Sequence, residues 1–152
     1  MITGASGFFG RYMAETFLEL GSKVILLGHS ERLIAQTKEY CRKFGKDKAY
    51  SYRVDFYKRQ DLRKILKKIT DKFAIDVLIN NAYDLGLKTG FNTPVGHLEK
   101  STYGQWHAAF ESGIYWAVLT TQIIGGKFRL KGKGSIINIS SMYGEVAPNP
   151  GL

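Results

Sequence analysis

Thr3-Gly4-Ala5-Ser6-Gly7-Phe8-Phe9-Gly10 is the stretch on which the reading of the whole chain turns. It predicts a glycine-rich turn that opens a helix. Gly4 permits a tight turn with positive φ. Gly7, with no side chain, lets a diphosphate approach the backbone, and Gly10 lets the new helix pack closely on a strand. The first helical turn then offers N–H groups and a partial positive charge to phosphate oxygens. A strand-to-helix turn with no ligand can carry the same glycines, so the surroundings must decide.

Working outward, residues 8–20 predict an amphipathic helix with Phe9, Met13, Phe17 and Leu20 on its apolar face and Gly21 as its stop. Lys23 to Leu27 (KVILL) is a short apolar run, expected as a buried strand. Ser30 is placed to cap a helix that carries Leu33, Ile34, Thr37, Tyr40, Cys41 and Phe44 and stops near Gly45. Tyr50 to Val54 predicts a third strand, ending at Asp55. A basic helix follows from about Gln60 to Phe73, then an apolar strand, Ile75 to Ile79, ending in Asn80-Asn81-Ala82. Residues 83–100 hold Gly86, Gly90, Pro94 and Gly96 and predict a loop. Thr102-Tyr103-Gly104-Gln105 forms a capping-box pattern. The apolar helix behind it is expected to reach Lys127, fraying at Gly125-Gly126. Ser135 to Ile139 (SIINI) is expected as another buried strand, with Ser140-Ser141 after it.

Strand and helix alternate throughout. That pattern predicts an α/β fold, a doubly wound parallel sheet of the Rossmann-like kind, in a single domain over 1–152. Ligands of such sheets bind at the carboxyl ends of the strands. The polar residues gather there: the glycine turn, Gly28-His29-Ser30, Asp55, Asn80-Asn81 and Ser140-Ser141.

Composition narrows the function classes. The chain has 152 residues, 44% of them hydrophobic, which is enough for a core. Cys41 is the lone cysteine, so no internal disulfide can form. No apolar run reaches membrane-span length, and Met1-Ile2 runs straight into the glycine turn without a basic leader, so a cytoplasmic protein with no membrane partner is expected. The net charge of +9 attracts anions. Its lysines and arginines are dispersed, however. Arg63, Lys64, Lys67, Lys68 and Lys72 form the solvated face of one helix rather than a nucleic-acid footprint. No metal-binding cluster is expected.

With these residues assembled, the chain resembles the short-chain dehydrogenase/reductase family along its whole length. The glycine spacing Gly4, Gly7, Gly10 resembles that family's phosphate-binding turn. Asn80-Asn81-Ala82 resembles its Asn-Asn-Ala-Gly strand end, with Tyr83 in place of glycine. Gly134-Ser135-Ile136-Ile137-Asn138-Ile139-Ser140-Ser141 resembles the strand that leads to the catalytic serine. Asn80 to Tyr83, taken with Ser140 to Pro148, is reminiscent of members acting on bacterial surface or flagellin sugars.

The resemblance implies roles for particular positions. Gly4, Ser6, Gly7, Phe8, Phe9 and Gly10 would line the cofactor diphosphate. His29 and Ser30 would meet the adenosine ribose, and Asp55 with Phe56 the adenine. Asn80 and Ala82 would place backbone groups near the adenosine ribose and the nicotinamide side, and Asn81, Ile139 and Ser140 would also contact the cofactor. Ser141 would be catalytic, hydrogen-bonding the substrate oxygen. The bland counterparts stand beside these roles: Asp55 and Ser141 as turn or cap residues, Asn80 as a tie between strand ends.

Three departures from the family pattern matter. Little of a first strand precedes the glycine turn, the family's Tyr-x-x-x-Lys motif is absent, and Gly113 stands where many members carry a catalytic asparagine. A fragment of a longer protein, cut at both ends, accounts for the first two. The expected function is the cofactor part of an NAD(P)-dependent oxidoreductase. It would interconvert a small-molecule alcohol and carbonyl, with bacterial carbohydrate or surface-sugar metabolism as the expected setting, the longer protein a homo-oligomer and this piece inactive. Alternatives are a nucleotide-sugar epimerase or dehydratase and a non-catalytic dinucleotide-binding protein. NADP is favoured over NAD, because Gly28-His29-Ser30 lacks the acid that NAD-preferring relatives place after the second strand.

Overall fold

The computed structural model describes residues 1–91 and 93–141. The elements run β1 (Ile2–Thr3), α1 (Phe8–Glu19), β2 (Val24–Gly28), α2 (Arg32–Phe44), β3 (Ala49–Arg53), α3 (Arg59–Lys72), β4 (Val77–Asn80), a 3₁₀ turn (Pro94–Gly96), α4 (Tyr103–Phe110), a π-helical turn (Glu111–Tyr115), α5 (Trp116–Lys131) and β5 (Ser135–Asn138). The five strands form one sheet in the order β3-β2-β1-β4-β5. Among the described residues the strand pairings are parallel. The order reverses between β1 and β4, so a crevice opens where their two strand ends diverge. β1 is only two residues long, yet it is central, pairing Ile2 with both Leu26 and Ile79.

Successive residues of a strand point to opposite faces, and the sheet buries both. Leu26 of β2 and Ile79 of β4 join Ala14, Leu18, Leu33 and Tyr40 under α1 and α2. Their neighbours Leu27 and Leu78 join Leu62, Leu66, Ile69, Trp116, Leu119 and Ile124 under α3 and α5. A doubly wound α/β sheet is therefore the observed fold, as the alternation of elements predicts.

Several local expectations change. In α1 the buried stripe is Gly10, Ala14 and Leu18, with Met13 and Phe17 only partly buried. Phe9 and Leu20 are 67% and 77% exposed. The small residues win because α1 lies so close to the turn before it that a Cβ on Gly10 would stand 2.3 Å from the Gly4 carbonyl oxygen. Gly10 thus packs on the turn, not on a strand. In α2, Leu33 and Tyr40 are buried while Ile34 is exposed. The helix is preceded by Glu31 with no side-chain cap. Ser30 instead accepts from the Arg32 N–H at 3.2 Å, one residue earlier than a cap.

The capping box forms, with Gln105 N–H donating to Thr102 Oγ1 at 3.3 Å and Thr102 N–H to Gln105 Oε1 at 2.8 Å. The helix behind it is interrupted by the π turn and does not fray at Gly125-Gly126. Buried Ile124 and Phe128 hold it to the core, and it runs to Lys131, where Gly132 closes it at φ +72. The largest revision concerns β5, whose residues are exposed along its length among the described residues.

Candidate functional site

The crevice at the sheet's reversal is built around Thr3. Its Oγ1 accepts from the N–H of Asn81 at 2.9 Å and of Ala82 at 3.0 Å. Asn81 replies through its side chain, whose Nδ2 donates to the carbonyls of Thr3 at 3.1 Å and Gly4 at 3.2 Å. Gly4 sits at φ +63, and a Cβ there would lie 2.9 Å from Ala82 Cα. The glycine turn is thereby clamped to the end of β4, and only glycine fits at the clamp. Asn81 and Ala82 shape the turn. Thr3, absent from the sequence-level candidates, is the residue that joins them; its one signal was its place directly before Gly4.

Beyond the clamp, α1 begins at Phe8 with Gly7 as its first flanking residue. No side chain caps it and no acid stands in its first turn. The N–H groups of a first helical turn have no partner within the helix. This start therefore presents uncompensated donors and the positive end of the helix dipole. Phe8 and Phe9 flank it, 68% and 67% exposed, with ring centroids 5.4 Å apart. Such a bare, glycine-lined helix start is of the kind that suits an anion; within it the Gly7 N–H is already donated to the Gly4 carbonyl at 3.0 Å.

At the ends of β2 and β3, the structure brings together residues that the sequence separates by more than twenty positions. Gly28 pairs with Arg53 in register. Arg53 Nε donates to the His29 carbonyl at 2.8 Å, and its guanidinium pairs with Glu31 at 2.9 Å. Arg53 was not among the sequence-level candidates. Asp55 lies exposed just past β3, its Oδ1 accepting from the Tyr57 N–H at 3.0 Å in a local turn. Phe56 is buried, its ring 5.0 Å from that of Trp116. It can offer a ligand its backbone, not its ring. An open cleft of about 360 Å³ runs along Tyr57 to Asp61 beside them.

The ends of β4 and β5 form the other side. Asn80 Nδ2 donates to Thr121 Oγ1 at 3.1 Å and to Asn138 Oδ1 at 2.8 Å, while its Oδ1 accepts from Thr120 Oγ1 at 2.6 Å. Its amide is engaged on every side and ties β4, β5 and α5 together. Ile139 N–H continues the ladder to the Asn80 carbonyl at 2.9 Å. Ile139, Ser140 and Ser141 follow on the exposed strand end. Met142 to Pro148, including Tyr143, lie outside the described residues.

Two departures from the expected pattern meet in space. A Cβ on Gly113 would stand 3.4 Å from Tyr83 Cε2. The Tyr83 ring thus lies against Gly113. Burial pushes the Tyr83 phenol above its ordinary pKa, with Asp84 adding to the effect. Close by, Tyr57 Oη donates to Asp84 at 2.7 Å, and burial first, then this bond, raises the Tyr57 pKa strongly. The π turn between α4 and α5 is anchored by Glu111, 6% exposed, which takes two hydrogen bonds from Arg59 at 2.9 and 2.5 Å. Among the described residues no three His, Cys, Asp or Glu side chains stand together as a metal site. No helix among them is long and apolar enough to cross a membrane.

Comparison with known proteins agrees with this geometry. The family described as short chain dehydrogenase matches residues 1–151. An NAD-dependent glycerol dehydrogenase of Listeria innocua is 27% identical over 97% of the chain and 54% of its own length. A sorbose reductase of Schizosaccharomyces pombe is 30% identical over 99% of the chain and 57% of its own length. The closed form of a serine dehydrogenase complexed with NADP+ superposes with a TM-score of 0.76 at 26% identity, over 99% of this chain and 58% of that one. The chain spans about half the length of the curated relatives it matches.

Proposed function

The chain belongs to the short-chain dehydrogenase family, and from that premise we propose that it is the dinucleotide-binding part of an NAD(P)-dependent oxidoreductase that interconverts an alcohol and a carbonyl. The observation that carries this reading is the uncapped start of α1, held by the Thr3–Asn81 clamp at the sheet's reversal. Gly4, Ser6, Gly7 and Gly10, flanked by Phe8 and Phe9, would hold the diphosphate. Asp55 and the backbone of Phe56 would hold the adenine. His29 and Ser30 would face its ribose, and Ala82, Ile139 and Ser140 the nicotinamide side. The hydride chemistry is the cofactor's own. Ser141 would hydrogen-bond the substrate oxygen and orient it. Asn80 and Asn81 act through the strand ends they fix.

NADP is the cofactor we propose over NAD. The support is the absence of an acid at Gly28-His29-Ser30 and the NADP+ bound in a structural relative. The substrate class we propose is a small polyol or sugar-derived carbonyl compound, supported by the glycerol and sorbose in two relatives' names. The longer protein is proposed to be a homo-oligomer acting in the cytoplasm.

The test is fluorescence titration of the chain with NADPH and NADH. Saturable binding is expected. Gly10→Ala, whose Cβ would collide with the Gly4 carbonyl, should weaken it by about tenfold or more, equivalent to roughly 1.4 kcal/mol. Leu20→Ala, an exposed change at the far end of α1, should leave it unaltered. No binding of either dinucleotide, or equal effects of the two substitutions, would sink the proposal.

A further inference from the structure

We propose that Arg53 is the residue that selects NADP, by binding the 2′-phosphate of its adenosine ribose, and that Glu31 competes with that phosphate for the same guanidinium. The inference rests on the dinucleotide reading above and adds to it a residue from a different strand.

The geometry is specific. β2 and β3 are parallel neighbours, and Gly28 stands opposite Arg53 at the end of their ladder. The Val54 N–H closes that ladder on the Gly28 carbonyl at 2.8 Å. Arg53 therefore leaves β3 level with the turn that follows β2. Its Nε donates to the His29 carbonyl at 2.8 Å, which fixes the guanidinium plane over that turn. Its terminal nitrogen then meets Glu31 Oε1 at 2.9 Å. His29 and Arg32, the other basic groups of the turn, are exposed. Among the described residues, Arg53 is the basic side chain at this turn that a backbone carbonyl holds in place.

The strength of the existing pair decides the outcome. Arg53 and Glu31 are 53% and 79% exposed. An ion pair this open to water shifts an equilibrium by no more than about fivefold. A phosphate carries up to two charges and offers paired oxygens to the planar fork of a guanidinium, a stronger match than one carboxylate. The phosphate thus displaces Glu31 with little penalty. NAD brings a neutral ribose hydroxyl instead, to which the Glu31 carboxylate can act as acceptor while it stays on Arg53. The pair therefore admits both cofactors and sets their ratio. Ser30, whose Oγ accepts from the Arg32 N–H, keeps its own hydroxyl proton to donate.

Two substitutions and their combination test this, with NADPH and NADH titrated against the chain at one fixed salt concentration. Arg53→Met should weaken NADPH by roughly tenfold, as expected for loss of a charged hydrogen bond, and NADH by much less. Glu31→Gln should tighten NADPH by about threefold, because it removes the competitor. In the Arg53→Met background the Glu31→Gln gain should vanish. Both positions are exposed, and a thermal melt of each variant checks that folding is intact. An unchanged NADPH-to-NADH ratio in Arg53→Met overturns the proposal, as does a Glu31→Gln gain that persists without Arg53. Loss of discrimination in His29→Ala or Arg32→Ala but not in Arg53→Met also overturns it. Failure of the parent chain to bind either dinucleotide overturns the underlying reading instead, and this inference with it.

Discussion

Strand β2 reads Val-Ile-Leu-Leu-Gly and strand β5 reads Ser-Ile-Ile-Asn, and both predict a buried strand. In the fold, every residue of β2 is buried, with Leu26 and Leu27 at 0% exposure. In β5, Ile136 and Ile137 are 36% and 41% exposed. The difference is one of position. β2 has β1 on one side and β3 on the other, and α1, α2 and α3 cover its faces. β5 is an edge strand, paired only with β4 among the described residues. Apolar, β-branched composition reports that a strand is suited to burial on two faces. It does not report whether anything has arrived to bury it.

The largest test of that contrast is Leu27→Ala against Ile137→Ala. Deleting the fully buried Leu27 side chain should cost about 2–5 kcal/mol by denaturant unfolding, since it leaves a cavity among Leu62, Leu66 and their neighbours. Truncating Ile137 should cost about 1 kcal/mol or less, because its surface is already wet. Equal costs would mean that β5 is covered in solution.

A second test lies at the seam between the well-packed and the open side. Asn80 is 6% exposed and its amide bonds to Thr120, Thr121 and Asn138. Asn80→Ala removes all three bonds, with the Trp116 and Ala117 carbonyls still in reach of Thr120 Oγ1, and should cost roughly 1–3 kcal/mol. Asn138→Ala removes one of those bonds from an exposed strand and should cost less. If the order reverses, the network does not carry the seam.

The smallest effect on stability should come with the clearest effect on association. An exposed apolar edge strand is a template for pairing with another chain. Ile137→Lys should change stability by about 0.5 kcal/mol or less, as surface substitutions do. It should also lower the concentration-dependent association of the chain in light scattering. Unchanged association would show that the β5 edge does not mediate it.

Much of this was legible from local pattern. The alternation of elements, the switch-point glycine turn and the capping box at Thr102 follow from spacing and turn chemistry, which act over a few residues. The Gly7 N–H to Gly4 carbonyl bond of that turn is local, whereas the Ala82 contact that excludes a Cβ at Gly4 is not. The face of α1 was misjudged, because Phe9, Met13 and Phe17 fit the period while the closeness of the Gly4–Ala5 backbone selects Gly10 and Ala14. The partners of Arg53, Glu111, Tyr83 and Thr3 were beyond reach. Each is joined to a group more than twenty residues away.

What the amino-acid order determined by itself is the list of strands and helices and the presence of a glycine-rich turn before α1, because hydrogen-bonded turns and hydrophobic periods are short-range. What only the tertiary structure decided is which of two similar strands is buried, which asparagine ties strands and which clamps the glycine turn, and which arginine stands over the turn after β2. Those outcomes depend on strand order, and strand order arises from the packing of distant segments on one another.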